Sequence, residues 1–578
     1  MSFCLLKGHR QNFAATKLSS VFSTLLLGII TVSLFSTRLA VRATFVHSFP
    51  KNIRNSRCSR PTPQKNLRNR FAITRIMSTS QTLANGEVAH IDKEELPDWM
   101  KPERTKILST AQRSFSKPSN NIGAVLYWMQ RDMRTTDNWA LLLAKHYAET
   151  LKLPLHVVCV LPPPPASSNN SDDLPPDLAS MPLTERHGSF LLGGLELIQK
   201  ELKEVNVPFH ALMPSSHEKV GEAVDKFVSD YKVRAVVCDF SPLRHFRQWN
   251  EQQALPLFDK RKIPFYQVDT HNVVPVWEAS PKREVGARTL RPRIHKVVDK
   301  FTAEFPEFTG NNHLSKDQIK NLAFADFDRK KYESFLNMDG SVKAVDWAKP
   351  GTENGMKQFR FFVEKGLKRF DQLRNDPTEK HICSDLSPWI NYGHISFQTI
   401  LTEVKKLNKY ANGTASFVEE GLVRRELSDN YCYYAPNDYD SLDAAAGWAR
   451  ETLETHASDE REYIYSLEEF EQGKTHDDLW NAAQLQVVRE GRMHGFLRMY
   501  WAKKILEWTA SPVVALRTAQ YMNDKFALGE CAIVDIFKSP LDPLRPCSPH
   551  RHFHFFHCFR RKMSQRVCRR RLEHYGYS

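Results

Sequence analysis

The sequence predicts two halves of different class, an α/β half built on a doubly wound parallel sheet and then an all-α half. Three observations predict it. Short apolar runs alternate with amphipathic stretches over residues 122–275, and the periodicity then turns helical, with little β-branched clustering, over residues 351–528. Composition agrees, since 578 residues with 41% hydrophobic and 25% charged content are globular in type and enough for two or three domains.

In the first half the apolar runs are GAVLYWM (123–129), LHVVCVL (155–161), VPFHAL (207–212), RAVVCDF (234–240) and IPFYQVD (263–269). They are short and mostly apolar, as strands covered on both faces are. Between them SFLLGGLELIQKELKEV (189–205) and EKVGEAVDKFVSDY (218–231) read as helices, which gives the βα alternation of a parallel sheet. Such sheets receive ligands at the carboxyl ends of their strands. Neither GxGxxG nor GxxxxGK[ST] occurs, so nothing supports a dinucleotide fingerprint or a P-loop here. PPPPASSNNSDD (162–173) is a solvated loop.

A polar connector, 276–350, leads to the helical half, whose stretches include MKQFRFFVEKGLKRF, LDAAAGWARETLETH and LWNAAQLQVVREGRMHGFLRMYWAKKILEW. HExxH, GxSxG and EF-hand loops are all missing, which leaves hydrolase and metalloenzyme readings without support. In FVEEGLVRRELSDN (417–430), i, i+4, i+7 spacing puts Glu420, Arg424 and Leu427 on one helical face. That face carries either a polar site or an ordinary solvated Glu–Arg pair. In 491–508, His494, Arg498 and Trp501 share a face, and Trp508 lies two turns, about 10.5 Å, further along. With Trp480, these indoles either relay an electron hole or fill the core as large aromatics do.

The net charge of +15 is an effect of the ends. Residues 1–86 hold 13 basic and no acidic side chains, and 530–578 hold 10 basic against 4 acidic, which leaves 58 basic against 62 acidic between. Bulk charge therefore gives no argument for nucleic-acid binding by the body, and a phosphate-binding patch there has to be local. The body has only Cys159, Cys238, Cys383 and Cys432, with no CxxC, so no metal or disulfide framework is expected. The tail adds four cysteines and His550, His552, His554 and His557 in no recognised zinc spacing.

No segment reaches the roughly 20 apolar residues of a membrane span. VFSTLLLGIITVSLF (21–35), behind Lys7, Arg10 and Lys17, resembles a signal-peptide core, and 42–75 is basic and hydroxyl-rich as transit peptides are. Residues 1–76 then direct the protein to a plastid or mitochondrion; the alternative is a true start at Met77 and a nuclear protein. Residues 77–121 are a linker.

FVEEGLVRRELSDNY resembles the signature of the class II cyclobutane pyrimidine dimer photolyases, departing at Gly421 and Tyr431. VLYWMQRDMRTTDNWALL, VVCDFSPLRHFRQW, VDTHNVVPVW, SDLSPWINYGHIS, THDDLWNAAQLQVV and MHGFLRMYWAKKILEW resemble the same family in the same order, over roughly residues 120–528. The resemblance implies an antenna-type α/β domain (122–275) and a helical FAD domain (351–528). It implies that Ser384, Leu386 and Ser387 wrap the FAD phosphates, that Arg498 and Asn523 lie at the flavin ring, and that Glu420, kept protonated by burial, hydrogen-bonds the dimer. Arg424 and Met499 match positions beside that pocket, and Trp480, Trp501 and Trp508 match the family's electron relay.

The implied reaction is light-dependent repair of pyrimidine dimers in ultraviolet-damaged DNA, with reduced, anionic FAD as electron donor to a dimer flipped out of the duplex. An antenna chromophore is open in identity, and a monomer is expected. From residue 529 the chain leaves the family pattern: Gly529 stands where an acid pairs Arg498, which would leave a buried cation uncompensated. The 529–578 tail is read as foreign to the family. The alternatives are an FAD-binding blue-light sensor without repair, or an inactive truncated photolyase.

Overall fold

A computed structural model describes residues 88–109, 122–165, 174–176 and 180–529. The expected presequence and the tail beyond Gly529 lie outside these.

The sheet has six strands: β1 Thr105–Ile107, β2 Ala124–Met129, β3 Leu155–Val160, β4 Phe209–Leu212, β5 Val233–Asp239 and β6 Phe265–Val268. Their order is β1-β6-β5-β2-β3-β4. The five expected strands pair in parallel, and β1 is an addition: it lies in the stretch read as linker and pairs antiparallel with β6, Thr105 opposite Val268. Three residues are too few to show a period, so β1 could not be read from sequence.

The strands are apolar along their length because helices cover both faces. Val125, Tyr127 and Met129 pack with the Trp139–Leu151 and Glu185–Glu204 helices on one side. Leu126 and Trp128 pack with Val220–Asp230 and Leu255–Arg261 on the other. The Glu185–Glu204 helix starts four residues before the expected position because Thr184 caps it, its side chain accepting from the His187 amide. The connector is partly helical, including Ala287–Val297 and Arg329–Leu336.

In the helical half, FVEEGLVRRELSDN is not one regular helix. Ala411–Val418 is α-helical, Glu419–Arg424 is a π-helical turn, and Arg425–Tyr434 returns to α. The Asp478–Glu490, Gly495–Glu507 and Pro512–Phe526 helices follow, and they enclose a core containing Trp480, Trp501 and Trp508. His494 is not on a helical face with Arg498 and Trp501: it is the N-cap, its Nδ1 accepting from the Phe496 amide at 3.2 Å.

Candidate functional site

The π turn carries Glu420 and Arg424. Their side chains meet at 3.2 Å, and Arg374 Nη1 approaches the same Glu420 oxygen at 2.8 Å. These contacts are ionic without hydrogen-bond geometry, so Glu420 Oε1 and Arg424 Nε remain buried polar atoms with no hydrogen-bond partner among the described residues. Contrary to expectation, Glu420 is not fully buried. Its side chain is 32% exposed and lies between the Arg374 and Arg424 guanidiniums. Leu427 does not share its face; it packs into the apolar core with Leu422 and Phe397. The inserted π residue rotates everything after Arg424 relative to a regular helix.

Phosphate-type contacts were expected at Ser384, Leu386 and Ser387. Leu386 is buried against the core that contains Trp389 and Leu528. Ser384 and Ser387 are half-buried, and neither hydroxyl hydrogen-bonds another described residue. Two unused hydroxyls on a half-buried loop suit the oxygens of a diphosphate, so the residues present fit the phosphate end of FAD. The loop is braced by Arg492, which donates to Asp385 Oδ2 at 2.6 Å and stacks over the Trp347 ring at 4.3 Å. Burial pushes the Asp385 carboxyl up, against the opposing pull of Arg492. Cys383 Sγ contacts the Arg374 carbonyl at 3.8 Å, which ties this loop to the Glu420 cluster.

Trp501, Trp480 and Trp508 form a buried row. Trp480 stacks on Trp501 with centroids 6.3 Å apart and planes 4° from parallel, and meets Trp508 at 5.9 Å. Trp480 Nε1 donates to the Trp501 carbonyl at 3.1 Å, and Trp501 Nε1 donates to Gln484 Oε1 at 2.8 Å. Trp480 thus sits between two indoles that sequence spacing had placed along one helix. Beyond Trp508 lie His476 and Tyr465, at 4.9 and 5.7 Å.

Asn523 is buried on the Pro512–Phe526 helix, its Nδ2 donating to Asp524 at 3.1 Å. Met499 is 40% exposed, an outward position on its helix. Arg498 is half-buried rather than fully buried, and donates from Nη2 to the Met493 carbonyl at 2.9 Å. Gly529 has no room for the acid the family pattern calls for, because a Cβ there would sit 2.6 Å from Ser387 Oγ.

Sequence reasoning missed Arg374, Gln484, Arg492, His476 and Tyr465. Each acts on the site through tertiary packing, and none stands at a spacing that signals it.

A family model described as DNA photolyase matches residues 125–310. A deoxyribodipyrimidine photo-lyase of Potorous tridactylus is 45% identical over 409 residues, 70% of this chain and 71% of that one. Its counterpart in Oryza sativa is 40% identical, over 70% and 77%. Among solved structures, a Synechocystis cryptochrome aligns with TM-score 0.57 at 14% identity, over 77% of this chain and 88% of that one. A class III photolyase from Agrobacterium tumefaciens aligns at 0.51 and 15%, over 74% and 80%. At such identities the two structures show a common fold.

Proposed function

This chain belongs to the DNA photolyase family, and from that membership we propose how its own residues divide the work. Its activity is light-dependent repair of pyrimidine dimers in DNA; it binds FAD and damaged DNA. When bound, the flavin in its reduced, anionic form supplies the electron that light releases to the dimer.

The dimer is flipped out of the duplex, since an intrahelical lesion cannot reach a buried cofactor. Arg424, whose side chain is 41% exposed, donates from its guanidinium to a dimer carbonyl, while Glu420 holds the Arg424 and Arg374 guanidiniums in place. Met499 lies beside the pocket. Ser384 and Ser387 hold the diphosphate on a loop that Leu386 anchors to the core, and Arg498 and Asn523 lie toward the flavin ring. The protein acts as a monomer.

The observation that carries the electron-transfer reading is the buried row Trp501–Trp480–Trp508, whose ring contacts are close enough for stepwise passage of a hole. Trp501→Phe should abolish photoreduction of the oxidised holoprotein yet leave repair intact when the flavin is reduced chemically. Unchanged photoreduction would reject the row as the route.

A further inference from the structure

The chain leaves β2 for β3 and β4 on one side, then returns to β5 and β6 on the other, so the carboxyl ends of β2 and β5 form the sheet's switch point. Doubly wound sheets receive phosphate-bearing ligands there, on amides of the first βα turn. In this chain those amides already hold an anion. Asp239, the last residue of β5 and fully buried, accepts from the amides of Gln130 at 2.8 Å, Arg131 at 2.6 Å and Asp132 at 3.0 Å. The Tyr127 hydroxyl donates to the same carboxylate at 3.0 Å. The following helix is satisfied from within as well: Asn138 Oδ1 accepts from the Leu141 amide at 3.1 Å, and Thr270 Oγ1 from the Trp139 amide at 2.8 Å.

We propose that Asp239 is a built-in ligand, its carboxylate standing where a phosphate group would sit, so that this edge takes no phosphate-bearing molecule and serves instead as a fixed grip on the helical half. The grip is visible in what the loop does once its amides are held. Arg131 reaches Asp429 with two hydrogen bonds of 2.6 and 3.1 Å. Arg134 donates to the Gly393 carbonyl at 2.9 Å, and the Met133 amide donates to the Tyr392 carbonyl at 3.3 Å. Gly393, at φ +66°, lies so close that a side chain there would overlap Asp132. Burial, with Asp132 nearby, pushes the Asp239 carboxyl up to about 6, against the opposing effect of the amides that hold it. No motif announced this, because the three amides carry no side-chain signature and Asp239 is remote in sequence from the loop it fills.

Hydrogen–deuterium exchange on the full-length, FAD-loaded protein tests it, with and without inorganic phosphate, read at the amides of residues 130–132. Anion contacts at other surfaces do not enter that local reading. In the wild type these amides should exchange as slowly as those of β2, with phosphate making no difference. In Asp239→Ser they should exchange about tenfold faster or more, and phosphate should restore their protection. Fast or phosphate-sensitive exchange in the wild type would overturn the proposal. So would a variant that stays protected without phosphate, or one that phosphate fails to protect. If Asp239→Ser does not fold, the wild-type comparison decides alone.

Discussion

Glu420 and Arg424 owe their meeting to a turn that a side chain at Gly421 would disturb. A Cβ at that position would overlap the Phe397 ring, and Arg425 stacks over the same ring at 5.3 Å. Gly421→Ala should therefore destabilise the protein by about 1–3 kcal/mol in chemical denaturation, the cost of overpacking a rigid contact, and Phe397→Leu should recover part of the loss. If Arg424 donates to the dimer, Arg424→Met should lower kcat/KM for repair at least about tenfold, the loss of one charge-assisted hydrogen bond, with flavin content unchanged. Equal activity in the variant would remove Arg424 from the site. The pairing of Glu420 with Arg424 was legible, since i, i+4 spacing survives the local geometry. Arg374 and the π turn were not, because both depend on what packs against the helix rather than on its own period.

The Arg425–Tyr434 helix extends the turn into the join between the halves. Glu426 accepts from the Val273 amide at 2.6 Å, and burial pushes its carboxyl up to about 8. A folded-state value above the unfolded one means this group contributes stability that is complete below about 4.5 and lost as pH rises through about 8. Denaturation across that window should thus show Glu426→Gln with a flatter profile than the wild type; an unchanged slope would contradict the assignment. Helices and buried strands were readable because their periods run over many residues. The order of the indole row was not: spacing related Trp501 to Trp508, but only helix packing inserts Trp480 between them. Starts defined by caps, Thr184 and His494, also escaped, since one residue sets each.

Across the whole molecule, the two halves are joined by buried charge. Arg131 and Asp429 are largely buried, and each holds the other's charge in place: Asp429 keeps the guanidinium protonated despite its burial, and Arg131 holds the carboxyl well below the usual range. Removing either partner leaves an unpaired charge, so Arg131→Ala and Asp429→Ala should each cost about 3–5 kcal/mol. The double variant should cost less than their sum, read from a double-mutant cycle in denaturant. The order of the halves was legible from the change of period, whereas this join was not, since its partners come from distant loops. Dimer content in ultraviolet-damaged DNA, incubated with the purified, flavin-reduced full chain, tests whether the chain repairs pyrimidine dimers with light. Dimers should disappear under near-ultraviolet or blue light and persist in the dark; equal dimer content in both, with flavin bound, would contradict the account.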